Sequence, residues 1–211
     1  MPIQLHRLVS DQGVVAVHAN EPQKGGPWPA VVFLHGAART GKVLYHWANE
    51  LEELADVYCI DLPGHGASEL PKGKPTNLDT VAERVARIVQ GPLSGRKVVL
   101  VGESVGGLIA LKLAGMTGLT NIVGVLAADP PTSSRKLWHV QGNYLKLLAR
   151  RDELDGIVTF FEGIFGYDGL DIDGKVYYDV YRQVSRPAVI LTGDFHLNPF
   201  QNANTVPMCL F

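Results

Sequence analysis

The sequence predicts an α/β fold: a mostly parallel central sheet flanked by helices, carrying a small helical cap insert. Three observations predict it. Short apolar runs alternate with longer segments of helical spacing, which is the rhythm of βαβ units. The runs at 30–34, 97–101, 122–127 and 188–192 are compact and apolar, as buried strands are. The rhythm changes between Pro130 and Pro187, where helical patterns follow one another with no long strand between them.

Taken in order, 3–9 and 14–18 read as two opening strands joined by a turn at Asp11-Gln12-Gly13. Pro27-Trp28-Pro29 breaks the chain, and 30–34 is a buried strand ending in His35-Gly36. Residues 40–54 have helical spacing through Val43, Leu44, Trp47, Leu51 and Leu54. The run 55–60 is the next strand, and its Cys59 reads as a core thiol. An amphipathic helix is expected over 78–90, with Val81, Val85, Ile88 and Val89 on one face and Asp79 as cap or acidic first turn. The strand 97–101 leads into a nearly all-apolar, hence buried, helix over 104–114. Strands 122–127 and 188–192 complete the sheet. In the insert, 137–148 and 153–165 read as helices. Nine of the seventeen aromatic residues lie between Trp138 and Tyr181; most of these rings pack the insert onto the body, and together they suit a cap over an apolar cleft.

Composition bounds the rest. The 211 residues are 46% hydrophobic and suffice for one domain, 1–211, with the insert at 131–186 inside it. The net charge is −2, with no long run of one sign, so nucleic acid is not an expected partner. Two cysteines are too few for a disulfide framework, the first residues lack the apolar core of a signal peptide, and no stretch approaches the ~20 apolar residues of a membrane span. A cytoplasmic protein with a small-molecule substrate, no nucleic-acid or membrane partner and an undetermined oligomeric state is the expectation. No cofactor or metal is expected: there is no His/Cys/Asp cluster at ligand spacing and no phosphate-binding G-x-x-x-x-G-K-[ST] loop, and the glycines from Gly102 to Gly107 do not fit G-x-G-x-x-G.

The chemistry is carried by three short motifs. Gly102-Glu103-Ser104-Val105-Gly106 matches G-x-S-x-G, entered by a strand and left by a helix. Such a turn strains the serine backbone to project its hydroxyl, and the flanking positions must be small. The helix that follows aims backbone N–H groups at developing negative charge. His35-Gly36-Ala37-Ala38 lets backbone amides approach a substrate oxygen; the N–H groups of Ala37 and Val105 are the expected oxyanion hole. Asp61-Leu62-Pro63-Gly64-His65-Gly66-Ala67-Ser68 is a turn-rich loop after a strand.

The three motifs in this order resemble the α/β-hydrolase superfamily over roughly residues 30–192. The resemblance implies an eight-stranded, mostly parallel sheet, an inserted helical cap and a Ser–acid–His triad with Ser104 as nucleophile. It makes His35, Asp61 and His65 structural residues. The acid of such a triad usually lies three residues after a glycine behind the strand corresponding to 188–192, but His196 stands there and Asp194 comes early. Some members place the acid after the preceding strand, where this chain has Asp129. Asp129 is thus the leading acid and Asp194 the alternative, the plain reading of Asp129 being an Asp-Pro turn starter.

The base departs from the pattern. The resemblance expects a histidine after the last strand, and none follows His196. Three explanations remain open: a C-terminally shortened chain lacking its last strand, helix and histidine; His196 acting as base with Asp129 or Asp194; or no triad chemistry. The apolar ending at Met208-Cys209-Leu210-Phe211 favours shortening. The expected function is a serine hydrolase acting on an ester or thioester of an apolar small molecule through an acyl-enzyme on Ser104. The alternatives are a lyase or cofactor-free oxygenase on the same fold, or an inactive binding protein.

Overall fold

A computed structural model describes residues 3–20, 28–134, 155–167 and 174–192, together with the backbone strand Met208–Leu210. Its strands are β1 (Gln4–Ser10), β2 (Gly13–Ala19), β3 (Ala30–Leu34), β4 (Val57–Ile60), β5 (Val98–Glu103), β6 (Ile122–Ala128), β7 (Ala188–Leu191) and β8 (Met208–Leu210). Its helices are α1 (Tyr45–Leu51), α2 (Leu78–Gln90), α3 (Val105–Gly115), α4 (Asp155–Phe165) and α5 (Tyr178–Arg182), with a 3₁₀ turn at Gly41–Leu44.

The strands form one sheet in the order β1-β2-β4-β3-β5-β6-β7-β8. The central run from β4 to β7 is parallel, while β1 and β2 form an antiparallel hairpin on one edge and β8 pairs antiparallel with β7 on the other. The parallel centre follows from chain chemistry: β3 is buried throughout and β5 and β6 are mainly apolar, as strands covered by helical crossovers are. The expected α/β architecture with a mostly parallel sheet is therefore the observed one. No helix among the described residues is long and apolar enough to cross a membrane.

Helix α3 is the axle of the core. Apart from Lys112, every residue from Val105 to Ala114 is buried, so the helix shows no polar stripe. It packs against β5, β6, α2 and α5. Helix α2 has the opposite character, with Val81, Val85, Ile88 and Val89 buried along one face. Its N-cap is Asn77: the Asn77 side chain accepts the Thr80 N–H at 3.0 Å and the Thr80 hydroxyl accepts the Asn77 N–H at 3.0 Å, a capping box. Asp79 lies in the first turn and does not cap; it pairs instead with Lys112 of α3 at 2.7 Å.

Two differences from expectation have physical causes. The helical pattern over 40–54 resolves into a 3₁₀ turn and the seven-residue α1, with residues 52–55 in turns. A Cβ at Gly41 would lie 3.0 Å from the Cys59 carbonyl, so the chain enters this segment pressed against β4 before the helix can form. Helix α5 was not expected at all, because its five residues are shorter than any periodicity can reveal. The expected helix over 137–148 lies outside the described residues; that over 153–165 is seen as α4.

Candidate active site

The C-terminal ends of the parallel strands carry the site. The described residues have three non-glycine positions at positive φ: Ala38 (φ 58), Ser104 (φ 52) and Asp129 (φ 51). They stand just after β3, β5 and β6, three adjacent strands of the sheet. Backbone strain of this kind costs of order 1–3 kcal/mol per residue and persists where surrounding structure enforces it, most often at functional sites.

Ser104 sits between β5 and α3 with φ 52 and ψ −120. Its N–H donates to the Ala128 carbonyl at 2.7 Å, and its carbonyl accepts the Leu108 N–H at 3.1 Å. The turn is tight enough that a Cβ on Gly102 would overlap the Gly106 carbonyl. Gly106 is constrained differently from the sequence expectation. Its missing side chain makes room for the neighbouring strand, since a Cβ there would overlap the Leu34 carbonyl and approach the His35 carbonyl. The start of α3 is thus pressed backbone to backbone onto the end of β3. Gly36 completes this contact, its Cβ position lying 3.5 Å from the Ser104 Cβ and 3.6 Å from Glu103 Oε1.

That contact brings the two expected amide donors to one end of the sheet. Val105 is the first residue of α3, where an N–H has no intrahelical acceptor. The Ala38 N–H donates to His65 Nε2 at 3.0 Å, so of the two alanines Ala37 is the one whose N–H has no bond to a described residue. Arg39 reaches across from the same loop, its Nη1 lying 2.9 Å and 3.1 Å from the two carboxylate oxygens of Glu103.

Three buried side chains hold the loop after β3. His35 Nε2 accepts the Leu62 N–H at 2.9 Å, which leaves Nδ1 as the donor to the Gly36 carbonyl at 2.7 Å. Burial, assisted by the nearby His65, lowers the His35 pKa to about 3. His65 uses the same tautomer, Nδ1 lying 3.0 Å from the Pro63 carbonyl and Nε2 accepting from Ala38, and burial lowers its pKa too. Asp61 accepts the Gly41 N–H at 2.7 Å and the Ala67 N–H at 2.9 Å. Burial alone would raise the Asp61 carboxyl, but His18 at 3.2 Å and these two amides hold it below the ordinary range. Both histidines are neutral and committed to backbone partners, which leaves neither ring a nitrogen for proton transfer. His35, Asp61 and His65 each hold backbone groups of the loops around the site.

Asp129 follows β6 directly, and its N–H donates to the Leu191 carbonyl at 2.6 Å. The register of β5 on β6 pairs Glu103 with Ala128, so Ser104 and Asp129 emerge side by side. The Asp129 side chain is exposed. The adjoining Pro130 carbonyl accepts the Tyr181 hydroxyl at 2.7 Å, and burial and then the Asp129 charge raise the Tyr181 pKa. This tyrosine of α5 was missed in the sequence, where it was one ring among the aromatics of the insert. His196 and Asp194 lie outside the described residues. No group of three or more His, Cys, Asp or Glu side chains that could hold a metal ion occurs among the described residues.

Comparison with known proteins agrees with this geometry. Residues 31–204 match the family described as the alpha/beta hydrolase family. A pimeloyl-[acyl-carrier protein] methyl ester esterase of Aeromonas salmonicida is 35% identical over 92 residues, 44% of this chain and 34% of the relative. An esterase of Mycobacterium tuberculosis is 32% identical over 118 residues, 56% of this chain and 38% of the relative. The match thus spans little more than a third of either relative's length. Among solved structures, an N-acyl homoserine lactonase superposes with a TM-score of 0.63 at 19% identity, covering 91% of this chain and 78% of that one. At that identity the likeness is one of fold.

Proposed function

This chain belongs to the alpha/beta hydrolase family, and from that premise we propose that it is a serine hydrolase of esters or thioesters with an apolar group. The observation that carries the reading is the strained Ser104, held at φ 52 at the head of the buried helix α3 and beside the loop of Ala37. In this reading the Ser104 hydroxyl attacks the acyl carbon while its proton passes to His196. The N–H groups of Ala37 and Val105 take the charge that develops on the carbonyl oxygen. The C–O or C–S bond of the leaving group breaks as the proton is returned to it, and water then repeats the sequence to free the acid. Asp129, beside Ser104 in the sheet register, orients the histidine. His196 is assigned as base because it follows β7 and because His35 and His65 have both ring nitrogens engaged.

The esterase names of the curated relatives support ester hydrolysis as the reaction class. The segment 131–186, of which α4 and α5 are described parts, is the cap in this reading, held to the body by the buried rings of Phe160, Phe161, Phe165, Tyr167 and Tyr177. The deciding experiment treats the protein with a fluorophosphonate probe and assays p-nitrophenyl butyrate. Covalent labelling mapped to Ser104, with turnover abolished in Ser104→Ala, is the expected result. A protein that neither labels nor turns over short-chain esters would refute it.

A further inference from the structure

Helix α4 is seated on the loop 61–77 by an unusually close backbone approach. A Cβ on Gly64 would lie 2.5 Å from the Gly156 carbonyl, and one on Gly156 would lie 2.8 Å from the Gly64 carbonyl. About two turns further along the same face, a Cβ on Gly163 would overlap the Thr76 carbonyl. Gly156, Phe160 and Gly163 are spaced four and three residues apart, so they share one stripe of α4. Phe160, fully buried, stands between the two glycines and meets the His65 ring edge to face, with centroids 4.7 Å apart at 89°. The opposite end of that imidazole accepts the Ala38 N–H at 3.0 Å. Ala38 has φ 58, a strained conformation for alanine, and it directly follows Ala37.

We infer that His65 is a positioning residue that couples the seating of α4 to the shape of the oxyanion loop. Resting on the serine-hydrolase reading, this assigns His65 no contact with substrate. Its lone pair holds Ala38 in the strained conformation that turns the preceding peptide, and Phe160 fixes the ring from behind. The coupling is built on contact alone and uses residues far apart in sequence. His35, 5.2 Å away ring to ring, and the Pro63 carbonyl close the remaining sides of the imidazole. Burial keeps the ring neutral and so keeps the acceptor available.

Two readouts on the full chain test the inference: kcat and KM for p-nitrophenyl butyrate, and hydrogen exchange of the Ala38 amide by NMR. His65→Leu removes the acceptor, and His65→Gln restores one near the Nε2 position. Phe160→Leu leaves His65 in place but frees its far face. Loss of one buried hydrogen bond predicts that His65→Leu speeds Ala38 exchange about tenfold or more, and loosening of the His65 ring predicts a smaller increase in the same direction for Phe160→Leu. kcat falls by a similar factor in His65→Leu, with KM within about twofold, because a misplaced amide is felt in the transition state. His65→Gln recovers most of both. Ala38 exchange unchanged in both His65→Leu and Phe160→Leu would overturn the coupling. His65→Gln behaving like His65→Leu would overturn the acceptor role. If wild type shows neither turnover nor fluorophosphonate labelling, the serine-hydrolase reading fails separately, and Ala38 exchange still decides the coupling.

Discussion

The Ser104 amide donates to the Ala128 carbonyl at 2.7 Å, and this bond ties the turn after β5 to the last residue of β6. The next residue, Asp129, is then delivered beside Ser104 with its own amide fixed to Leu191 of β7. Three neighbouring strands are locked together at the point where the backbone is most strained. The strain at Ser104 is imposed by hydrogen bonding on both sides, and it has measurable consequences.

Ser104→Gly should be more stable than Ser104→Ala. Both remove the hydroxyl, but only glycine accepts φ 52 and ψ −120 without steric cost. Relief of about 1–3 kcal/mol is offset by the ~0.4–1 kcal/mol that glycine loses through greater freedom in the unfolded chain. Thermal melts should place Ser104→Gly a few degrees above Ser104→Ala, with esterase activity absent from both. Equal Tm values would show that the turn stores no strain.

Gly106→Ala should be severely destabilising and should also abolish labelling of Ser104. The added Cβ overlaps a backbone carbonyl of β3, not the end of a flexible side chain, so either α3 or β3 must move. Overpacking of this type costs about 1–3 kcal/mol and here displaces the turn itself. Urea unfolding of the variant should show a lowered midpoint with an unchanged slope.

How much of this was legible in the sequence divides along physical lines. Helix α2 was found to the residue, because its apolar stripe and polar flanks obey one period. Of the two roles open to Asp79 the structure shows the acidic first turn; the cap is Asn77, hidden because its reciprocal bonding uses Thr80 where the usual signature has Glu or Gln. The turn at Ser104 was readable because glycine stands at two fixed offsets, although only Gly102 is demanded by the turn itself and Gly106 by the approach of β3. The strain at Ala38 was not, because alanine gives no sign of positive φ; the residues that enforce it lie elsewhere, in His65. The seating of α4 on Gly64 was equally hidden, since Gly64 reads as an ordinary turn glycine until Gly156 is placed against it.

Stability should fall as pH drops below about 6.5, and His35 should contribute much of the fall. Its folded pKa, about 3, lies below the ordinary value of 6.5. On acidification the unfolded chain therefore takes up the proton first, and stability is lost progressively from about pH 6.5 toward pH 3. Above pH 6.5 neither state is protonated and the contribution is complete. Asp61 adds a second loss only at lower pH, because its depressed carboxyl favours the folded state above the unfolded pKa of about 3.9. His35→Gln, which cannot titrate, should show a shallower decline of Tm between pH 7 and pH 4.5. Parallel declines in the two proteins would rule out His35 as the source.

The choice of acid can be made by comparing Asp129→Asn with Asp194→Asn. Asp129 is favoured because the β5–β6 register places it beside Ser104 and because its φ of 51 marks a conformation that an ordinary turn starter does not require. An asparagine is nearly isosteric and still tolerates positive φ, so the fold should survive the change. In the proposed mechanism it removes the charge that would orient the histidine and stabilise its protonated form. By analogy with serine hydrolases in which the triad acid is neutralised, kcat should fall by roughly 10³–10⁴. Ser104 should still be present and correctly turned, so labelling by a fluorophosphonate should slow without being lost. Asp194→Asn should change kcat by less than about tenfold if Asp129 is the acid, since a carboxylate outside the triad contributes only through its field. The reverse pattern, with Asp194→Asn the more damaging, would transfer the role to Asp194 and return Asp129 to a turn residue ahead of Pro130. Steady-state kinetics on p-nitrophenyl butyrate at pH 7.5, with circular dichroism to confirm folding of each variant, distinguishes the two outcomes.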